Sequence, residues 1–371
     1  MNSTPPLLDL LGVSWSVEAP VIAVAWDAHN RTLAGALDNG MLLLGDGVWQ
    51  QGPTLVTRPG GGATVVAARE PAAEPLRLRA HANKCLAMRT DRLGGFLSGG
   101  DDGRLVHTST AGNCSQLSVQ RGQALAALDA GGVGLRAWAT GASVHRSRLQ
   151  QEECIDLPSA AHSLLFDPAG RCLAITHAQG LTLWSASAAD DDSAAEPRHL
   201  ALAGDPLGAV WSPDGRYLVV GTRSGELHAW CIADGTATVL RGPLGQPSSL
   251  SFSSDGRFLV ASGALRPVAW RFDPLSGSEP PDECGIPGKT PVTQVACHPG
   301  QALIAAGYHN GAIALCQPGS ADVLVVKDSG PGAVTALAWS GDGSRLAFGT
   351  QDACLGWVNL PPALFRNRAT H

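Results

Sequence analysis

His81, Cys85, His177 and His309 are the residues whose types would best serve a zinc ion, because neutral imidazole and thiolate are its usual donors. Their spacing supports no local site: the chain has eleven His and nine Cys but no CxxC pair, so only the fold could assemble them. GIPGKT (285–290) ends like a phosphate-cradling loop, yet the Gly required five residues before its final Gly is Glu283. GGGATV (60–65) leads into no helix whose N-terminus could hold an anion. No GxSxG nucleophile turn occurs, and scattered Ser residues fall in turns or strands. The sequence therefore predicts no catalytic set and no resident metal or cofactor; metal handling or sensing through the quartet, and an enzyme site, remain alternatives.

The elements that would position these residues come from a repeat. AVWSPDGRYLVVGTRSGELHAW (209–230) reads as strand, turn at SPDG, second strand, turn at RSG, third strand. The plan recurs from Leu164, Leu250, Val295 and Leu337, earlier near Ala25 and Leu86, and more weakly from Leu125. The last apolar residue before the first turn is Trp26, Met88, Leu128, Phe166, Trp211, Phe252, Cys297 and Trp339. After a first interval of 62 residues the spacing is 38 to 45, which a four-stranded unit requires. Gly in SPDG, SSDG and SGDG permits the backbone angle that reverses the chain. YLVV, FLVA, CLAI and RLAF are short apolar runs, as expected of strands buried on both faces between neighbouring units.

The predicted fold is all-β: one domain over 1–371, a closed ring of four-stranded antiparallel blades, eight favoured and seven the alternative if the unit at Leu128 is absorbed elsewhere. Unit eight stops after its third strand, and an N-terminal strand at 14–20 would supply the fourth, removing an exposed sheet edge. The long first interval is read as a loop excursion at 45–73, and 361–371 as a C-terminal tail. SAADDDSAAEP, with Asp190 to Asp192, reads as a solvated loop in blade four.

Composition narrows the partners. The net charge of −6, with Lys and Arg scattered singly, provides no basic stripe for nucleic acid. No run of eighteen apolar residues could cross a membrane as a helix. The N-terminal MNSTPPLLDLLG lacks a basic region and is broken by Asp9, so a secretory signal is not expected. The odd, irregularly spaced cysteines suit reduced, mostly buried thiols in the cytoplasm, and the Arg-rich, Lys-poor usage suits a bacterial source.

GGDDGRLVH (99–107), TRSGELHAW (222–230) and QGLTLW (179–184), with the SPDG-type turns, give the chain a resemblance to the WD-repeat β-propeller family over nearly its whole length. More particularly it is similar to stand-alone bacterial WD-repeat proteins that have no established activity. Trp184, Trp230 and Trp270 keep the family's Trp without its following Asp. The resemblance implies a stabilising constellation, approached in unit two by His81, Ser98 and Asp102, with His107 at the Trp place.

In such a ring the turns between second and third strands gather at one end. His177, His309, Asp38, Asp101, Asp102, Arg223 and Asp352 fall in those turns, and His81 precedes a first strand at the same end. These eight are predicted to form a polar face for a protein or peptide partner. The expected function is a monomeric, non-enzymatic protein-binding scaffold.

Overall fold

The computed structural model describes residues 5–57, 63–132, 134–149, 151–185, 196–272 and 280–364. Among them are eight four-stranded antiparallel sheets, in each of which neighbouring strands are hydrogen-bonded. Blade 5 shows the plan: inner strand Pro206–Trp211, then Tyr217–Thr222, Leu227–Cys231 and outer strand Ala237–Leu240. Inner strands touch in cyclic order, and that of blade 8, Val334–Trp339, meets that of blade 1, Val21–Trp26. The fold is an eight-bladed β-propeller. The weak unit forms its own blade 3, from Ala127–Ala130 to Gln151–Asp156, which sets aside the seven-bladed alternative.

The N-terminus closes the ring: Gly12–Ser16 pairs with Cys354–Asn359 as the fourth strand of blade 8, slightly earlier than the expected 14–20. The expected excursion at 45–73 is a loop only in part. Gly45 and Asp46 still belong to the third strand of blade 1, and Thr54–Thr57 pairs with Ala63–Val66 as a two-stranded ribbon before the outer strand Leu76–Arg79. Val65 of this ribbon packs against the core cluster that holds a short helix, Leu7–Leu11, whose ends Leu7 and Leu11 are buried. Of the tail, Pro362–Leu364 forms a 3-10 turn. Residues 365–371, Asp190 to Asp192 and Gly60 to Gly62 lie outside the described residues.

The apolar runs behave as predicted. In blade 5, Leu218 and Val220 join the cluster shared with blade 4, whereas Val219 joins the cluster shared with blade 6. All three are fully buried, each burial stabilising by roughly 1.5–3 kcal/mol. Successive side chains point to opposite faces, so only a continuous apolar run can fill both seams.

The turns after the inner strands repeat one device. Ser212, Ser253 and Ser340 each donate at 2.6 Å to an Asp two residues on, and each accepts from the N–H five residues on. In blades 1 and 4 the carboxylates of Asp27 and Asp167 accept those N–H groups directly. The turn glycines Gly215, Gly256 and Gly343 have φ near +70°, a conformation that costs other residues strain. Asp255 and Asp342 are pushed down to about 2: hydrogen bonds from Ser253 and Arg257 hold the first, and those from Ser340 and Ser344 outweigh burial at the second. The inner-strand Trp residues link blades: Trp26, Trp211 and Trp339 donate through Nε1 to Ala338, Leu165 and Ala296 of the preceding blade, at 3.0–3.1 Å.

Candidate functional site

His81 is not on a surface. It is 1 % exposed, with Nδ1 3.1 Å from Asp102 Oδ1 and Nε2 2.9 Å from Ser98 Oγ. Asp102 also accepts the N–H groups of Ala82 and Arg104. Burial lowers the imidazole's pKa against the pull of Asp102. Burial raises that of Asp102, but the Ala82 N–H, His81 and Arg104 N–H outweigh it and hold the carboxylate low. Serine, histidine and aspartate in this order have the connectivity of a nucleophile, its base and an orienting acid. Ser98 is 0 % exposed, so its hydroxyl is presented to neighbouring strands and not to a substrate. The arrangement pins the segment that leads into blade 2 to the second strand and the turn after it.

The register corrects the fourth member. Thr108 pairs with Phe96 as Trp230 pairs with Leu218, so Thr108 occupies the Trp place and is fully buried. His107, one residue earlier, binds the Gly94 carbonyl at 2.7 Å through Nε2.

His177 is also buried. As the last residue of Cys172–His177 it faces Thr182 Oγ1 at 3.0 Å, and that hydroxyl lies 2.8 Å from His199 Nδ1. Burial, then the nearby His199 and His162, lower its pKa. Cys85 is buried, and desolvation raises its thiol to about 12. The quartet His81, Cys85, His177 and His309 is therefore split between blade interiors and a surface. Among the described residues no group of three or more His, Cys, Asp or Glu converges to hold a metal ion.

The remaining candidates do lie at one end of the ring. Asp38 Oδ1 is 3.5 Å from Lys84 Nζ, and Asp101 accepts the Lys84 N–H at 2.9 Å, which ties blades 1 and 2. Arg223 is exposed, 3.9 Å from Asp205. His309 and Asp352 are exposed. At this end a concavity of about 470 Å³ is lined by Gln246, Ser248, Thr293, Gln294, His309, Thr335 and Gln351 among others. Thr293 and Thr335 spend their hydroxyls on the Val334 and Val21 carbonyls of the next blade. The side-chain amides of Gln246, Gln294 and Gln351 have no hydrogen-bond partner among the described residues.

These glutamines were missed by the sequence reading, although a signal existed for Gln351. Inner-to-second-strand pairing places Leu33, Phe96, Leu218, Ile304 and Leu346 at equivalent positions. Counting five residues on gives Asp38, Asp101, Arg223, His309 and Gln351, so Gln351 and not Asp352 is the counterpart of His309. The same count in blade 4 gives Ala178, one beyond His177.

The other mouth, formed by the inner-to-second-strand turns, is a concavity of about 630 Å³ lined by Trp26, Asp27, Asn30, Arg89, Arg92, Asp129 and Trp339 among others. Asp129 accepts the Phe166 N–H at 2.7 Å and lies 3.7 Å from Arg89; desolvation raises its pKa against that guanidinium. It thereby links the inner strands of blades 3 and 4.

No helix among the described residues is long and apolar enough to cross a membrane. No family model and no curated protein matches the sequence. Among solved structures the chain is similar to the computationally designed Ika8 protein, at 14% identity and a TM-score of 0.70, over 93% of this chain and 97% of that one. It is also similar to Sqt1 from Chaetomium thermophilum in two crystal structures. These have 15% and 16% identity and TM-scores of 0.68 and 0.67, over 95% and 92% of this chain and 97% of each of theirs. At such identities the likeness is one of fold alone, and that fold is the eight-bladed β-propeller.

Proposed function

We propose that the chain is a bacterial, cytoplasmic, single-domain propeller of the WD-repeat type that acts as a monomeric, non-enzymatic scaffold, binding a protein segment across the glutamine-lined mouth. The observation that carries this reading is the concavity that collects Gln246 from the connection between blades 5 and 6, Gln294 and His309 from blade 7 and Gln351 from blade 8. A carboxamide offers two donors and an acceptor, the complement of an extended peptide's own C=O and N–H groups. The ring holds Gln294 on a strand and His309 and Gln351 on tight turns, so little order is lost there on binding. Around the rim His309, Gln351, Asp38 and Asp101 follow one another on blades 7, 8, 1 and 2, with Arg223 apart on blade 5. This arc makes one side of the mouth the recognition side.

The test is selection of peptides from a displayed library on the immobilised full chain, followed by calorimetry with a synthetic peptide. A variant with Gln294→Ala, His309→Ala and Gln351→Ala should lose at least tenfold in affinity while keeping its thermal midpoint. Selected peptides that bind wild type and this variant equally would remove the mouth from the proposal.

A further inference from the structure

Two thiols meet at the seam between blades 6 and 7. Cys284 follows the outer strand of blade 6, Asp282–Glu283, and Cys316 ends the third strand of blade 7, Ile313–Cys316. Ile304, Ala306 and Tyr308 alternate along the second strand of blade 7, and Ala314 and Cys316 along its third. All five share a core cluster with Val260, Ala269 and Cys284 of blade 6. This alternation turns Cys316 toward blade 6, where its Sγ lies 3.3 Å from that of Cys284. Both residues are buried, at 2 % and 0 % exposure.

We propose that Cys284 and Cys316 form an oxidisable dithiol that closes to a disulfide on exposure to a hydroperoxide and staples blade 6 to blade 7. Neither sulfur has to travel across the seam, because each is already the other's hydrogen-bond partner. The Cys316 S–H and the Arg266 guanidinium lower the pKa of the Cys284 thiol against burial, which favours the nucleophilic thiolate there. By contrast, the half-buried Cys297 has its thiol pushed up to about 12 by desolvation, and it donates to the Ser251 carbonyl.

The chemistry balances. With hydrogen peroxide, one sulfur attacks an oxygen, the O–O bond breaks, and the products are a sulfenic acid and one water. The second sulfur then attacks the first, the S–O bond breaks, and hydroxide leaves with the second thiol's proton as another water. Two thiols and one peroxide give one disulfide and two waters.

The experiment treats the folded full-length chain with hydrogen peroxide, blocks remaining thiols after denaturation, and maps peptides by mass. The expected result is one linked pair containing Cys284 and Cys316, two hydrogens lighter, with both cysteines protected from alkylation until a reductant is added. The linked form should unfold at a higher urea concentration than the reduced form. Cys284→Ser should leave Cys316 without this link and abolish the urea shift. The proposal is overturned if Cys284 and Cys316 remain fully alkylatable once the exposed Cys114 and Cys154 have been oxidised. It is equally overturned if Cys284 links to a cysteine other than Cys316. Because the mapping is done on wild type, a variant that fails to fold does not decide the matter.

Discussion

Replacing His81 by Ala separates a structural triad from a reactive one. The side chain makes two hydrogen bonds in a site that is 1 % exposed, one to the Asp102 carboxylate and one to the Ser98 hydroxyl. A bond to a charged partner is worth about 1.5–3 kcal/mol and a neutral one about 0.5–1.5 kcal/mol. Asp102 keeps the Ala82 and Arg104 N–H groups, so its charge is not stranded, whereas the fully buried Ser98 hydroxyl loses the imidazole. The imidazole also fills space above Gly100, where a Cβ would come within 2.4 Å of Nδ1, so a void is left. The expected loss is about 3–5 kcal/mol. Equilibrium urea unfolding followed by Trp fluorescence measures it, with amide exchange of Phe96–Gly100 locating the loss in blade 2. Ser98→Ala alone should cost about 1 kcal/mol, and the double variant less than the sum, because the two changes remove one shared bond. His309→Ala, at an exposed rim position, should stay within about 0.5 kcal/mol. An unfolding curve for His81→Ala that superposes on wild type would refute the structural reading of the triad.

Acid should weaken the ring. Burial lowers the pKa of His81, His177 and His298, so each group takes up its proton on unfolding at a higher pH than in the fold. Their stabilisation is complete above about pH 6.5 and is lost as pH falls below it, by up to about 1.4 kcal/mol per pH unit for each imidazole. Urea midpoints at pH 7.5 and 5.5 test this, and equal midpoints contradict it. Two glycine substitutions should differ although their backbone angles match. At Gly122, φ is +82° and a Cβ meets open space, so Gly122→Ala should cost about 1–2 kcal/mol. At Gly225, φ is +85° and a Cβ would lie 2.7 Å from the Leu244 carbonyl, so Gly225→Ala should cost clearly more; thermal unfolding that shows equal losses would contradict the packing argument.

The blades were legible because every unit carries its own complete signal. A polar turn, an apolar run filling two seams and a Gly turn repeat together, so even the weak unit at Leu128 was placed. The short helix Leu7–Leu11 and the ribbon Thr54–Thr57 with Ala63–Val66 were not legible, since neither belongs to the repeat and each is too short for periodicity to show. The single-residue error at the Trp place has a physical origin. A strand reverses its facing with each residue, so reading His107 for Thr108 changes which face the side chain occupies. His177 was placed on the turn face because it adjoins a turn, but as the last strand residue its ring points into blade 4.

Strand register also decides what the turn face can recognise. The residue five beyond the register position stands just after the second strand in every blade but the sixth, where the strand ends at Ala261 and the count passes the buried Ser262. Register pairs Leu173 with Phe166 and Leu259 with Phe252, so the same count reaches Ala178 in blade 4 and Ala264 in blade 6. Blade 3 offers Gly141, directly after Leu135–Thr140. Small residues thus occupy the rim on blades 3, 4 and 6, with Arg223 between them on blade 5, while acidic, amide and imidazole groups occupy it on blades 1, 2, 7 and 8. The backbone ring is nearly symmetric, and the rim is not. A ligand at the proposed mouth site would meet most of its polar contacts on the arc of blades 7, 8, 1 and 2, with Arg223 and Gln246 on the facing side, and this imbalance would fix its direction across the ring without any change in the blades beneath.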